Sequence, residues 1–331
     1  MKAFKMKAHT LRSITTTTFA GTKNLVNWNL PLPQDDINAS AYIGIVTPSR
    51  TEPVLDRSSY CTNFHVINAS RGKLEPGKKR EKLYVGRSVD WFSAVGCDVS
   101  VNGRLLVLNS RHCFCLLQPD GNFKLLNYHE EECWHKKDDC TCEKEVRFLN
   151  IVPVKPPANT CPSRKEIFSS VAFSHCSGFI LFLTSNSGVH VLDVSGKYHG
   201  CLGKESGVPL GEGKILRLPG DKQFLIYYPG TAYVSIVEIN CEEKSFTVLK
   251  TKVFGERHIS CVVSMGDSIL AFCSTENIML LSQKDSEEIV EIPTELNPGV
   301  ISACVLQNRD IAISYPAPER RITIITFEQG E

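Results

Sequence analysis

Short apolar runs separated by turn residues recur along most of this chain, and they constrain its fold more than any other feature. The runs are bounded by Gly, Asn, Asp, Ser and Pro. No segment keeps apolar residues at the i, i+3, i+4 and i+7 positions of a helix over three turns. The pattern is typical of β-strands joined by tight turns, so it predicts an all-β protein.

The runs are grouped into units of similar layout. One unit begins at Phe92 and another at Phe168, and each reads as four strands joined by turns such as Asn102-Gly103 and Ser177-Gly178. Glycine suits these turns because it adopts positive φ without steric cost. The spacing is about 40 residues, close to the ~40–45 residues of a four-stranded propeller blade. Three further units span residues 214–254, 258–293 and 300–327.

A sixth unit is predicted upstream of residue 90. The last unit ends after its third strand, and a strand near residues 11–19 would supply the fourth and close the ring. The sequence thus predicts a β-propeller of about six, or seven, four-stranded blades. Residues 1–40 are then the N-terminal segment that closes the ring, residues 41–331 the propeller, and residues 129–166 an inserted Cys- and His-rich loop. The alternative is a β-sandwich followed by a second β domain.

In architecture these units resemble the WD40-like and NHL-like β-propellers, over residues 40–331. The family signatures differ: Leu192-Asp193 and Leu117-Gln118 stand where a WD40 repeat ends its third strand with Trp-Asp, and no Gly-His pair begins a blade. The resemblance implies a divergent propeller and identifies no particular family. Because propellers carry many functions, this architecture leaves the function open.

Charge and hydropathy exclude several classes of protein. The chain has 37 basic and 36 acidic residues, so it lacks the basic excess typical of dedicated nucleic-acid binders. Its longest apolar runs, such as residues 179–183, are far too short to span a bilayer. The basic N-terminus has no apolar stretch after it, so a secretory signal is not expected. The sequence therefore predicts an intracellular protein, cytoplasmic or nuclear, with no membrane span.

The 14 cysteines are consistent with that compartment. Several lie inside apolar strand-like runs, where a free thiol behaves as a small buried hydrophobe. We therefore expect them to be reduced core residues. These cysteines are Cys97, Cys115, Cys261, Cys273 and Cys304.

The segment 129–161 concentrates potential zinc ligands. Cys133, His135, Cys140 and Cys142 supply the thiolates and imidazole that zinc prefers. Both close pairs have one intervening residue, whereas familiar zinc motifs use Cys-x₂₋₄-Cys pairs. The alternatives are a disulfide or redox role and an exposed loop with incidental cysteines. We therefore expect no cofactor and keep zinc as the single candidate.

Two segments are candidate partner contacts. The basic stretch 71–82, which we expect to be a solvated loop, could bind an acidic protein or the phosphates of RNA, although it lacks the interleaved aromatic residues on which bases stack. The other is the Cys- and His-rich segment, with its single tryptophan. The candidate residues are Lys73, Lys78, Lys79, Arg80 and Trp134.

Catalytic motifs are weak. His175 adjoins Cys176, but catalytic partners are usually neighbours in space and not in sequence, so we expect His175 to make a turn hydrogen bond. Gly207–Lys214 departs from a P-loop in its spacing and lacks the following hydroxyl residue. We therefore predict a non-enzymatic protein–protein interaction scaffold, a subunit of a multiprotein complex with no small-molecule substrate. The alternative is an NHL-like propeller that binds single-stranded RNA through a basic face.

Overall fold

The computed structural model describes residues 10–18, 24–27, 42–50, 60–68, 75–84, 94–100, 105–109, 113–117, 123–127, 151–153, 168–185, 188–203, 212–219, 222–306, 310–315 and 321–328. Every regular element in these ranges is a β-strand. The strands are β1 (Thr10–Thr18), β2 (Asn24–Asn27), β3 (Tyr42–Arg50), β4 (Tyr60–Asn68), β5 (Glu75–Tyr84), β6 (Ala94–Val99), β7 (Leu105–Asn109), β8 (Cys113–Leu117), β9 (Phe123–Asn127), β10 (Ile151–Pro153), β11 (Phe168–Phe173), β12 (Phe179–Thr184), β13 (Val189–Asp193), β14 (Tyr198–Leu202), β15 (Lys214–Arg217), β16 (Gln223–Tyr227), β17 (Tyr233–Asn240), β18 (Ser245–Val253), β19 (Ile259–Met265), β20 (Ser268–Cys273), β21 (Ile278–Gln283), β22 (Ile289–Pro293), β23 (Ser302–Val305), β24 (Ile311–Ser314) and β25 (Arg321–Glu328).

These strands form six sheets, which we number in chain order. The first contains β2–β5, the second β6–β10, the third β11–β14, the fourth β15–β18 and the fifth β19–β22. The sixth contains β23–β25 together with β1, which pairs antiparallel with β25 as the outermost strand. Each of the five units predicted downstream of residue 90 thus lies in its own sheet, and the N-terminal strand completes the last.

The first strands of successive sheets lie against one another. Contacts join β2 to β6, β6 to β11, β11 to β15, β19 to β23, and β23 back to β2. The fourth and fifth sheets share a buried cluster that includes Leu225, Tyr227, Val262 and Ile269. The sheets therefore follow one another in chain order, and the sixth returns to the first.

Both faces of the middle strands are buried, which explains their almost continuous apolar sequence. On β12, Ile180 and Phe182 pack against the second sheet, while Leu181 and Leu183 pack towards the fourth. Phe114 of the second sheet lies with its ring centroid 5.1 Å from that of Phe182. The core is thus a series of layers between neighbouring sheets, as expected for propeller blades.

Three features differ from the sequence expectations. The basic segment 71–82, expected to be a loop, enters strand β5 at Glu75, because an edge strand tolerates charged residues that give no apolar alternation. Strand β2 lies upstream of the predicted boundary at residue 41, yet it pairs with β3 in the first sheet. Within the predicted insertion 129–166, β10 pairs in parallel with β9, so part of it extends the second sheet.

Candidate functional site

The outer strands of the fourth sheet expose a group of apolar side chains. Tyr233 on β17 is 49% exposed, and Leu249 and Val253 on β18 are 45% and 50% exposed. Among the described residues, only Ile301 is another large apolar side chain with comparable exposure. We call Tyr233, Leu249 and Val253 the outer-rim patch. Its concentration on two paired strands distinguishes it from the scattered exposed apolar residues that any surface carries.

Strand pairing holds these three residues together. Tyr233 and Val253 are direct partners in the β17–β18 ladder. Leu249 lies where the register shifts between Ile236 and Val237, so it is the extra residue of a β-bulge. Thr251, between Leu249 and Val253, is also exposed, and its Oγ1 lies 3.4 Å from Ser235 Oγ. The patch is therefore an apolar strip with a hydroxyl at its centre.

The neighbouring residue Lys252 anchors β18 from the inside. It is 3% exposed, and its Nζ donates to Ser282 Oγ at 3.1 Å and to the carbonyl oxygens of Gln283, at 2.6 Å, and Ser286. Burial lowers the pKa of Lys252. Because this ammonium group ties β18 to the fifth sheet, the exposed residues on either side of it are held on a fixed strand.

His175 and Cys176 make separate contacts within the protein. The Nε2 atom of His175 lies 3.1 Å from the carbonyl oxygen of Gln223 in the next sheet, and its ring packs edge-on against Phe224. Cys176 Sγ lies 3.3 Å from Ser174 Oγ. The imidazole therefore makes a hydrogen bond at a turn, as expected from the sequence, although its partner lies in the neighbouring sheet.

Polar groups at the ends of the first strands join three sheets. The Asp98 carboxylate accepts hydrogen bonds from the N–H groups of Val99, at 2.8 Å, and Phe173, at 2.7 Å. Arg217 of the fourth sheet donates from Nη2 to the Val99 carbonyl oxygen at 3.0 Å. Burial raises the pKa of Asp98, although Arg217 and the Phe173 N–H oppose that shift. Both oxygens of this carboxylate are engaged within the protein, which indicates a structural role.

Six of the cysteines whose side chains the structure describes form no disulfide with another described residue: Cys97, Cys176, Cys241, Cys261, Cys273 and Cys304. Cys261 and Cys273 are buried as predicted, whereas Cys97 and Cys304 are half-buried on first strands. Burial raises the pKa of Cys261 to about 11 and that of Cys241 to about 12. Such thiols are protonated at neutral pH, so they are poor nucleophiles and poor metal ligands.

The sequence-predicted site residues fall in two groups. Six of them lie outside the described residues: Lys73, Cys133, Trp134, His135, Cys140 and Cys142. Lys78, Lys79 and Arg80 lie on β5, at the edge of the first sheet. In the described ranges, no group of three or more His, Cys, Asp or Glu residues could hold a metal ion. The four zinc candidates remain a prediction.

The outer-rim patch was not predicted from the sequence. Its residues sit in apolar runs that resemble the other strand-like runs of the chain. The side chains of β18 alternate between exposed and covered because β18 is the outermost strand of its sheet. The only feature of the sequence that indicates the exposure of β18 is the polar content of Ser245–Val253. Hydroxyl and lysine residues alternate there with apolar ones more than in the other strands of the fourth sheet.

Comparison with solved structures supports the architecture. No family model matches the chain, and no curated protein matches it. The Cps50 (Swd1) β-propeller domain of Myceliophteria thermophila is similar over 96% of this chain and 99% of that one, with a TM-score of 0.55 and 8% identity. A chain of the mitotic checkpoint complex is similar over 99% and 100%, with a TM-score of 0.56 and 12% identity. Streptogramin B lyase is similar over 95% and 98%, with a TM-score of 0.53 and 10% identity.

At such low identity these likenesses concern the fold alone. Together with the packed sheets, they define the chain as an all-β protein of the β-propeller class, which confirms the resemblance in architecture seen in the sequence. In the part of the chain that the structure describes, no helix is long and apolar enough to cross a membrane.

Proposed function

We propose that this propeller is a non-enzymatic protein–protein interaction scaffold and a subunit of an intracellular multiprotein complex, cytoplasmic or nuclear. Its six sheets would be the six blades of one ring, closed by the pairing of β1 with β25. The observation that carries the proposal is the outer-rim patch. A blade edge held rigidly in a ring presents such a patch without conformational adjustment, which lowers the entropic cost of binding.

The chemistry of the patch favours a protein partner. Exposed apolar residues that are contiguous mark interaction sites more often than isolated ones do. Tyrosine is enriched among the residues that dominate binding energy, because it contributes a large rigid surface and a hydroxyl. Tyr233 provides that group, and Leu249 and Val253 supply aliphatic surface beside it.

The polar groups of the described residues support a non-enzymatic role. His175 and Asp98 are engaged by backbone groups, and burial keeps the Cys241 and Cys261 thiols protonated. The similar structures include a propeller domain, a chain of a complex and a lyase, so the fold itself is compatible with binding and with catalysis. The scaffold proposal therefore rests on the patch and not on the fold.

Affinity purification of the tagged chain tests the proposal. The triple variant Tyr233→Ser/Leu249→Ser/Val253→Ser should lose about tenfold or more of at least one specifically co-purifying protein, since truncating a single hot-spot residue costs about 2 kcal/mol or more. Ile301→Ser, which removes an exposed apolar residue outside the patch, should keep that protein. Retention of every partner by a folded triple variant would contradict the proposal.

A further inference from the structure

The turn 174–178 of the third sheet carries Cys176 against the fourth sheet. This turn joins β11 to β12. Next to Cys176, the Nε2 atom of His175 lies 3.1 Å from the carbonyl oxygen of Gln223, the first residue of β16. The His175 ring packs edge-on against Phe224, with 5.2 Å between the ring centroids. The turn is therefore held at the start of β16.

Cys241 lies at the same place on the fourth sheet. It follows β17, whose residue Ile239 donates its N–H to the carbonyl oxygen of Lys222 at 2.8 Å, and Lys222 directly precedes β16. Cys241 is 7% exposed and belongs to the buried cluster that also contains Ile239. The end of β17 and the start of β16 thus bring Cys241 to the part of the fourth sheet that the turn 174–178 contacts.

The Cys176 sulfur lies beside residues that contact the cluster around Cys241. It stands 3.3 Å from Ser174 Oγ, and a methyl group at Gly178 would lie 3.5 Å from it. The residue after Gly178, Phe179, packs against the buried cluster that contains Cys241. Burial and the neighbouring Cys176 raise the pKa of Cys241 to about 12. The two sulfurs are therefore neighbours across the boundary between the third and fourth sheets, and we call Cys176 and Cys241 the thiol pair.

We propose that the thiol pair is a redox-sensitive tie, which a low-molecular-weight disulfide such as oxidised glutathione converts into a Cys176–Cys241 disulfide between the two sheets. Neither thiol forms a disulfide with another described residue, and Cys176 is exposed to the oxidant. In reducing compartments, disulfides of this kind are reversible and act in redox sensing. The tie uses no residue of the outer-rim patch, so the Tyr233→Ser/Leu249→Ser/Val253→Ser variant should oxidise like the unmodified chain, whatever the scaffold test shows.

The exchange proceeds in two balanced steps. The Cys176 thiolate attacks one sulfur of oxidised glutathione, which forms a mixed disulfide and releases one glutathione thiolate. Cys241 then loses its proton to solvent, and its thiolate attacks Cys176 Sγ and displaces the second glutathione. Two protein thiols are thus oxidised to one disulfide, and oxidised glutathione is reduced to two thiols. Because burial keeps Cys241 protonated at neutral pH, the second step is the slower one.

Peptide mapping by mass spectrometry tests the proposal on the full chain. The folded protein is incubated with mixtures of oxidised and reduced glutathione, the remaining thiols are alkylated, and the digest is analysed without reduction. We expect a peptide pair joined through Cys176 and Cys241 to form as the mixture becomes more oxidising and to disappear when reduced glutathione is restored. Because a disulfide requires Cα atoms about 4.4–6.8 Å apart, this linkage also tests the proximity of the two turns.

Three variants, each checked for folding by circular dichroism, assign the linkage. Cys176→Ser should abolish it and leave Cys241 unmodified, because Cys241 is buried. Cys241→Ala should retain a glutathione mixed disulfide on Cys176. Cys273→Ala, which changes a buried cysteine of the fifth sheet, should form the Cys176–Cys241 disulfide like the unmodified chain. In the unmodified chain, a mixed disulfide on Cys176 that never resolves, pairing of Cys176 with another cysteine or with a second copy of the chain, or no oxidation would each overturn the proposal.

Two further measurements separate the tie from incidental thiol oxidation. The mixed disulfide should convert to the Cys176–Cys241 disulfide about tenfold faster per pH unit between about pH 7 and about pH 9, because the thiolate fraction of Cys241 grows in that proportion below its pKa. The oxidised protein should melt about 2 °C or more above the reduced protein, since the bond constrains the unfolded chain, and Cys241→Ala should show no such gain. A conversion rate that is level across this pH range, or an oxidised protein that melts no higher than the reduced one, would also overturn the inference.

Discussion

The ring of Phe246 on β18 lies directly over Gly203, the residue that follows β14 in the neighbouring sheet. A methyl group at Gly203 would stand 2.8 Å from Cγ of that ring, and Gly203 has a φ of +71°. Glycine therefore meets two requirements here, a left-handed backbone and the absence of a side chain under an aromatic ring. The contact fixes the outer part of the third sheet against the fourth.

Gly203→Ala should therefore destabilise the protein. The left-handed backbone costs an alanine about 1–2 kcal/mol, and the displaced ring adds about 1–3 kcal/mol of overpacking. Gly255→Ala is the matched control, since Gly255 has a φ of +67° and nothing within 4 Å of the added methyl. Urea unfolding should give a larger loss for Gly203→Ala. Equal losses would mean that Phe246 moves aside without cost.

Lys252 and Lys250 lie on the same strand, β18, but only Lys252 is buried. Lys252→Met should lower the free energy of unfolding by about 1–3 kcal/mol, because it removes the donor for Ser282 Oγ and two carbonyl oxygens. Lys250 forms an ion pair with the exposed Glu287, and such pairs contribute about 0–1 kcal/mol. Lys250→Met should therefore have a small effect. Chemical unfolding of both variants measures the difference, and similar losses would count against Lys252 as the anchor of β18.

The repeat units could be predicted from the sequence because strands buried on both faces are apolar throughout. The run Phe179–Thr184 between Gly178 and Gly188 is one case, and it coincides with β12. Turn residues separate the strands, and a unit spacing near 40 residues then indicates the blade. The missing strand of the last unit could also be inferred, because a closed ring leaves no incomplete sheet.

Other features depend on where a strand lies in the ring. The strand at Glu75 was missed because its charged residues suit an edge and give no apolar alternation. Cys97 and Cys304 sit in apolar runs like that of Cys261, yet they are half-buried whereas Cys261 is buried. The exposure of Leu249 in the outer-rim patch depends on β18 being the outermost strand of its sheet. Local sequence carries no signal for the two half-buried cysteines, and for Leu249 it carries only the polar alternation of Ser245–Val253.

Asp193 should make stability depend on pH in the acid range. Burial raises the pKa of Asp193, but hydrogen bonds from His199, from Ser195 and from the Lys197 N–H outweigh it and hold that pKa well below its usual range. A carboxyl group with a lowered pKa in the folded state stabilises the protein above its unfolded pKa, about 4, and this contribution is lost as the pH falls further.

The Asp193→Asn variant isolates that contribution. At pH 7 it should lower the free energy of unfolding by about 1 kcal/mol, the net value of a hydrogen-bonded group at a partly exposed position. The difference between the two proteins should shrink as the pH falls from about 4 to about 2, since protonated Asp193 resembles asparagine. Urea titrations across this range provide the measurement, and a difference that is constant with pH would exclude Asp193 as the titrating group.

Elemental analysis will decide whether the segment 129–161 binds zinc through Cys133, His135, Cys140 and Cys142. A structural zinc site contributes directly to folding, so Cys140→Ser/Cys142→Ser would release about one equivalent of metal and lower the melting temperature of the loop. We expect instead no stoichiometric zinc and a nearly unchanged melting temperature, because pairs with one intervening residue fit no common zinc framework. The clusters of buried side chains that the structure describes all lie at residue 106 or later and include none from 129–161, so we expect the propeller to stay folded in either case. A full equivalent of zinc, lost on substitution, would show that the ligand spacing was misjudged.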